Sequence, residues 1–321
     1  MRVLPSCILS LSIGVVTTSV GAQSRLTDLL QAGANTHPSV LQARSQFEAA
    51  GFEVDSAKWG RFPTITTQAL APNNRTQSLT KVEQPLWTGG RITGQIQVSE
   101  ANERAALSSV LDAQTNAMLQ VSNSFFDFLR MQSRMLVAND NVAEHQKLAD
   151  LIGRRVKSEV SPMADDVLAN ARLQQAITER IQIQKAMDTA RLTLEQWAGV
   201  SVVRLKAPKN IDFRRSPSVE DLVQKTFAFS GQRNKLLHQV DSAQYQLDVV
   251  KAQAMPSLVA GYQHIWGGLV PNSYQHNSAY VSLQFQPGAG LSALSNRNAA
   301  AMKGDAVKQE LLALERNLRN Q

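Results

Sequence analysis

Residues 26–63, LTDLLQAGANTHPSVLQARSQFEAAGFEVDSAKWGRFP, return in outline as residues 219–256, VEDLVQKTFAFSGQRNKLLHQVDSAQYQLDVVKAQAMP. Asp28-Leu29 recurs as Asp221-Leu222 and Pro63 as Pro256, each 193 positions on, with no gap between. In that register Gln31 meets Gln224, Gln46 meets Gln239, Ala50 meets Ala243, Asp55 meets Asp248 and Lys58 meets Lys251. Leu26 with Val219, Glu48 with Asp241, Phe52 with Tyr245, Val54 with Leu247 and Ile65 with Leu258 are conservative pairs. Past the prolines the offset becomes 202, where Gln84-Pro85 meets Gln286-Pro287, so the second copy carries nine extra residues in one loop. Units of roughly 190 residues are far longer than the ~20–50 of solenoid repeats. The chain is an internal duplication, and its halves are expected to fold alike.

Each copy opens on a helix. Leu26, Leu29, Leu30, Val40, Ala43, Phe47, Ala50, Val54 and Ala57 recur at three-to-four spacing, with one break at His37-Pro38. The counterpart runs from Val219 to Ala254. Both helices hand over to extended chain at a proline, Pro63 or Pro256, which cannot continue them. The period then changes. From Tyr280 to Gln286, Val281, Leu283 and Phe285 alternate with Tyr280, Ser282, Gln284 and Gln286, giving one apolar and one polar face. Its partner is Ser257–Trp266, across a polar loop from Gly267 to Asn277; the first copy has Thr64–Ala71 and Gln77–Leu86 around Pro72-Asn73-Asn74. These lengths approach the ~9–11 residues of a tilted membrane-spanning strand, and Trp87, Tyr262, Trp266 and Tyr280 lie near strand ends, where interfacial aromatics belong. A soluble hairpin packed on helices has the same periodicity, so the two readings stand together here. Four strands cannot close a barrel; several copies of the chain would share one.

After Gly89-Gly90-Arg91 comes a helical stretch to about Gly153, free of proline, with Ile92, Ile96, Val110, Ala113, Ala117, Val121, Phe125 and Phe128 along one seam. Some sixty residues at 1.5 Å each extend on the order of 90 Å. A break at Lys157–Pro162 follows. Ser161 suits an N-cap and Pro162 the first helical position, with Asp165 and Asp166 near the new helix start. The next helix returns through Val167, Ala171, Leu173, Ile177, Ile181, Ile183, Ala190 and Leu194 to Trp197-Ala198-Gly199, making a long antiparallel hairpin. The proline-bearing linker after Val200, residues 201–217, separates the copies.

The N-terminus orders Arg2, an apolar run from Cys7 to Val16, and small residues through Val20-Gly21-Ala22, the pattern of a secretory signal peptide cleaved after Ala22. With Cys7, the single cysteine, removed, the mature chain uses neither disulfides nor thiolate metal sites. Aromatic content is 6%, which favours small-residue helix seams over a thick core. No later run reaches the ~20 apolar residues of a membrane-spanning helix, so crossing a membrane would require a closed β-barrel. The 33 basic residues against 26 acidic are dispersed among Gln and Glu along helices, which reads as solvated helix faces and not as a nucleic-acid surface.

In order, the signal peptide, the duplicated helix, β-hairpin and long helices, and the cysteine-free mature chain resemble the TolC-like outer membrane channel family of tripartite efflux and type I secretion systems. Asp28-Leu29 with His37-Pro38, Phe62-Pro63, Gln84-Pro85-Leu86-Trp87 with Gly89-Gly90, and Arg155–Leu168 carry the resemblance, and Gln286-Pro287-Gly288-Ala289-Gly290-Leu291 looks most like the secretion-type members. The fold class it implies is mainly α with two β-hairpins: an internally duplicated protomer of an outer-membrane β-barrel continued by a periplasmic α-helical barrel. The resemblance also implies a homotrimer in outer membrane lipid, with a periplasmic adaptor protein and an inner-membrane pump or ABC exporter as partners, no cofactor, no metal, no nucleic acid and no catalytic residues. Glu159, Val160, Ser161 and Pro162 would form the tip that meets the adaptor, where the family usually has a glycine close to Glu159. Asp166, or else Asp165, matches an aspartate that helps hold the tunnel entrance shut.

The second copy stops short of the first. Pro85 to Val200 takes 115 residues and Pro287 to Gln321 only 34, about 80 fewer, which reads as a truncated member through an early stop, a frameshift or an incomplete gene. Three competing readings remain. An enzyme finds no support: His37, His145, His238, His264 and His276 are scattered, with no His-Glu-x-x-His or Gly-x-Ser-x-Gly. A soluble periplasmic coiled-coil adaptor or scaffold would share the helical pattern, and a truncated channel fragment could be non-functional.

Overall fold

The computed structural model describes residues 25–70, 77–203, 205–208, 218–266, 277–285 and 292–320. The signal peptide with Ala22, the Pro72-Asn73-Asn74 loop, most of the inter-copy linker, the 267–276 loop and the Gln286–Leu291 motif lie outside them. In chain order the elements are α1 (Leu26–Thr36), α2 (Pro38–Trp59), β1 (Thr64–Leu70), β2 (Gln77–Trp87), α3 (Arg91–Lys157), α4 (Met163–Ala198), α5 (Val219–Phe229), α6 (Gly231–Gln253), β3 (Ser257–Trp266), β4 (Asn277–Gln284) and α7 (Ser292–Asn320). The α, α, β, β, α order occurs twice. The starts of α1 and α5, and of β1 and β3, are each 193 residues apart.

The helix of the second copy is broken where the sequence pattern runs on. His37 sits extended between α1 and α2, its Nδ1 accepting from the Ser39 amide at the start of the proline-led α2. Ser230, 193 residues further on, is also extended and its hydroxyl accepts from the Arg233 amide. A side-chain acceptor satisfies one of the orphan donors of a helix start, so a serine makes the break without a proline. Each joint is braced. The His37 ring stacks on Trp197 at 4.4 Å between centroids. At the other joint Phe227 lies near two guanidiniums, Arg233 at 5.3 Å and Arg319 at 5.5 Å, and Arg233 Nε donates to Glu315 at 2.8 Å. That cluster ties α7 to the α5–α6 joint.

The chain divides into two compact units. One holds Leu30–Phe126, Gln196–Gly199 and Asn210–Gln321; the other holds Asp127–Glu195 with Val200–Lys209 and the N-terminal residues to Leu29. In the first unit α3 buries Ile96, Ala101, Ala105, Val110, Ala117, Val121 and Phe125, the small-and-apolar seam expected of side-by-side helices. It meets α6 closely: Val249 approaches Gly94, and Ser242 donates to Asn102 at 2.7 Å. Ser108, buried in the same seam, donates back to the Arg104 carbonyl, so its hydroxyl costs little. The β-strands of this unit form one antiparallel sheet in the order β1-β2-β3-β4, in which β2 of the first copy pairs with β3 of the second. In the second unit Ala149 of α3 packs with Ala169 and Leu173 of α4, flanked by Val142, Ile152 and Ile177.

The dispersed charges belong to solvated helix faces. Asp55–Lys58, Asp127–Arg130, Glu144–Lys147, Asp248–Lys251 and Asp305–Lys308 are exposed pairs with the acid three residues before the base. Asp55–Lys58 and Asp248–Lys251 are the same pair in the two copies. The carboxylate of Glu144 holds the Lys147 ammonium above its ordinary value. Among the described residues no helix is long and apolar enough to cross a membrane.

Two glycines of the first unit respond oppositely to a methyl group. A Cβ at Gly231 would stand 2.6 Å from the backbone nitrogen of Asp112, which cannot move aside, whereas one at Gly304, inside α7, would meet only the Ala243 methyl at 3.8 Å. Gly231→Ala is expected to lower unfolding stability by about 1–3 kcal/mol through overpacking, and Gly304→Ala to raise it by up to about 1 kcal/mol through helix propensity. Denaturant midpoints of the two variants against the parent check both signs.

Candidate functional site

Register sorts the sheet into two faces. Ile65, Val82, Tyr262 and Ala279 form one cross-strand row, and Ala260 with Val281 and Leu258 with Leu283 continue the same face. This face is open: Ile65 is 72% exposed, Val281 66% and Leu283 69%, and Phe285, just past β4, is 59% exposed. Side chains of a hairpin packed on helices through this face would be covered, and these are not. The opposite face carries Thr64, Thr66, Gln68, Gln263, Ser278, Ser282 and Gln284 with Lys81, Glu83 and Tyr280; it is polar in the main, with Leu79, Val259 and Ile265 among them, as Thr67, Thr80 and Gln84 stand among the apolar residues of the first face. Of the expected apolar residues, Val281 and Leu283 stand on the open side by register, and Phe285 lies past the last register pair and is exposed.

The aromatics separate. Tyr262 lies on the apolar face and is half exposed. Trp87 reaches that register through a bulge: the pairing shifts between Pro85 and Trp87, leaving Leu86 as the extra residue and Trp87 opposite Leu258. A bulge is one of the few places a strand accepts proline, and it re-aims the residue that follows. Trp266 closes β3, and its side chain lies outside the described residues. Tyr280 is a correction to the interfacial set, because it belongs to the polar face. Its ring lies over Gly261, where a Cβ would collide with it, and its hydroxyl donates to Glu83 Oε1 at 2.6 Å. Lys81 Nζ is 3.0 Å from the same oxygen and 5.9 Å from the Tyr280 ring centroid. Glu83, Gly261 and Tyr280 are direct neighbours in register across β2, β3 and β4. On the apolar side His264 contacts Asn277.

The turn between α3 and α4 is built from the α3 terminus. The Val160 amide donates to the Arg155 carbonyl and the Glu159 amide to the Val156 carbonyl, both at 2.9 Å. These are the paired bonds of a Schellman cap, whose C′ residue is left-handed and usually glycine. Glu159 occupies that position at φ 59°, the positive-φ non-glycine residue of the described chain. The following helix starts at Met163, and its Asp165 amide is held by the Pro162 carbonyl at 3.0 Å instead of by Ser161, which corrects the N-cap expected at Ser161. Glu159, Val160 and Pro162 are exposed and Ser161 half-buried. The two aspartates diverge: Asp165 is exposed, while Asp166 is half-buried, its carboxylate 3.3 Å from where a Cβ on Gly153 of α3 would lie.

Sequence reading missed Lys81, Glu83 and Gly261. The available signal was that Lys81 and Glu83 are the Lys, Arg, Asp or Glu residues of the described strands and share the parity of the polar face. It also missed the Ser230 joint, which the 193-residue offset from His37 indicates.

Duplicated helices carry one antiparallel sheet in which a hairpin from each copy is paired with the other. Over residues 29–200 the chain matches the outer membrane efflux protein family, and it belongs to that family. It is 25% identical over 230 residues to the cobalt-zinc-cadmium resistance protein CzcC of Cupriavidus metallidurans, covering 68% of this chain and 55% of that protein. The chain therefore spans about half the length of this curated relative. Its fold matches a membrane protein from Pseudomonas aeruginosa at a TM-score of 0.74 and 14% identity, over 92% of this chain and 73% of that one. It also matches the CmeC outer membrane channel of Campylobacter jejuni at 0.74 and 11% identity, over 90% and 67%. Membership of the outer membrane efflux protein family sets the enzyme reading aside.

Glu159 is strained at its left-handed position, by roughly 1 kcal/mol relative to glycine. Glu159→Gly is expected to raise the stability of the α3–α4 hairpin by about that amount, and Glu159→Val to lower it further. Hydrogen-exchange protection of amides flanking residues 155–163 measures this locally; unchanged protection in both variants contradicts it.

Proposed function

We propose that this chain is one protomer of an outer membrane channel, a passive conduit through which a tripartite system exports its substrate from a Gram-negative cell. The observation that carries the reading is the sheet: apolar and open on one face, polar on the other, with β1 and β4 as outer strands. Lipid takes the apolar face. The outer strands pair with those of two further copies, so that three chains share one barrel whose polar side faces the lumen. Family membership and the fold of the matched channels support this location and role. The helical hairpins extend the conduit into the periplasm, and the α3–α4 turn at Glu159, Val160, Ser161 and Pro162 meets a periplasmic adaptor, which couples the channel to an inner-membrane pump. Asp165 and Asp166 act at the tunnel entrance. The 25% identity to a metal resistance protein favours efflux over protein secretion.

The test uses thiol labelling in intact membranes, with Cys7 replaced so that each introduced cysteine is alone in the chain. Val281→Cys and Leu283→Cys are expected to be shielded from a membrane-impermeant thiol reagent until detergent is added, while Ser282→Cys reacts. Because Val281 is 66% exposed in the chain, its protection has to come from lipid. Equal labelling at all three, with release of the protein without detergent, would mean a soluble periplasmic protein.

A further inference from the structure

The polar face of the sheet concentrates its charge at one level. Lys81 and Glu83 are the Lys, Arg, Asp or Glu residues of the described strands, and both stand on the face opposite Val281 and Leu283. The rest of that face, from Thr64, Thr66 and Gln68 to Gln263, Ser278, Ser282 and Gln284, is neutral. Charged side chains on the lipid side of a barrel are destabilising, and the alternation that turns Val281 outward turns this pair inward. Two donors, the Tyr280 hydroxyl and the Lys81 ammonium, converge on one oxygen of Glu83. Gly261 makes this possible, since only a residue without Cβ lets the Tyr280 ring cross β3 and reach a strand two positions away. Both charged side chains are partly open, 32% for Lys81 and 27% for Glu83, so passing ions meet the pair itself.

We propose that Lys81 and Glu83 set the ion selectivity of the barrel lumen. Tyr280 acts as the positioning residue that holds Glu83 beside its counter-charge. Each copy contributes one cation and one anion at the same level, so the assembled ring is close to neutral and discriminates little by charge. Removing either member leaves a ring of unpaired charge of the other sign, on a face whose remaining described strand residues are neutral. Fixed charge of one sign raises the local concentration of its counter-ion. This inference rests on the barrel reading above.

The experiment is the reversal potential of the purified full chain in planar bilayers under a potassium chloride gradient. The parent is expected to be weakly selective. Lys81→Gln should raise the potassium-to-chloride permeability ratio severalfold, Glu83→Gln should lower it severalfold, and the double variant should return it towards the parent. Gln263, opposite Lys81 in the β2–β3 register, gives a second measurement that leaves the cluster intact. Gln263→Cys, modified after assembly with an anionic or a cationic thiol reagent, should shift the ratio in opposite directions. Conducting channels whose ratio ignores all these changes overturn the inference and leave the channel reading in place. If even the parent does not conduct, the channel reading fails and takes the lumen assignment with it.

Discussion

In hydrocarbon an unpaired backbone N–H or C=O costs several kcal/mol, and a sheet can avoid that cost only by closing on itself. The described residues hold four strands with β1 and β4 outermost, and an apolar face on which Ile65, Val281 and Leu283 lie open. Those two features conflict within a single copy. Water would satisfy the edges but not the apolar face, and lipid would satisfy the face but not the edges. Association through the edges, as in the proposed channel, would resolve both. The duplication is the economical source of such a sheet. Each copy supplies one hairpin, and the seam between copies is the β2–β3 pairing, crossed by the Tyr280–Glu83 hydrogen bond.

The helices are built for lateral packing. Ala101, Ala105 and Ala117 are buried on α3, and Gly94 and Gly231 allow α6 within backbone distance of it. Small residues let helices approach while giving up the large-side-chain burial that a globular core would use. In the second unit the same economy appears as Ala149 against Ala169 and Leu173. Repeat symmetry survives in details that packing does not require, such as the Asp55–Lys58 and Asp248–Lys251 pairs and the side-chain caps at His37 and Ser230. The bracing of the two joints differs, aromatic stacking at one and an arginine, phenylalanine and glutamate cluster at the other.

What local pattern encodes was legible in the sequence. The alternation of Val281, Leu283 and Phe285 with polar neighbours predicts the faces of β4, and the 3.6-residue periodicity of α3 predicts its buried seam through Val121 and Phe125. The break at Ser230 was hidden because a cap of one hydroxyl leaves a weaker mark than a proline, although the offset from His37 points to it. The polar-face cluster was hidden for a different reason. Its defining bond joins residues 197 positions apart, and neither β2 nor β4 alone shows that Gly261 stands between them. At the α3–α4 turn a glutamate occupies a left-handed position, a conformation that residue type signals only when the residue is glycine or asparagine.

In the proposed channel the apolar sheet of one copy is completed by the edges of others. The most direct measurement is the number of chains per particle in detergent-extracted, unheated protein, by native mass spectrometry or light scattering corrected for bound detergent. Three chains per particle are predicted, falling to one with loss of β-sheet signal after heating. A detergent-dependent particle of a single chain with its sheet intact would contradict the account, because β1 and β4 would then be stable in an apolar environment without partners.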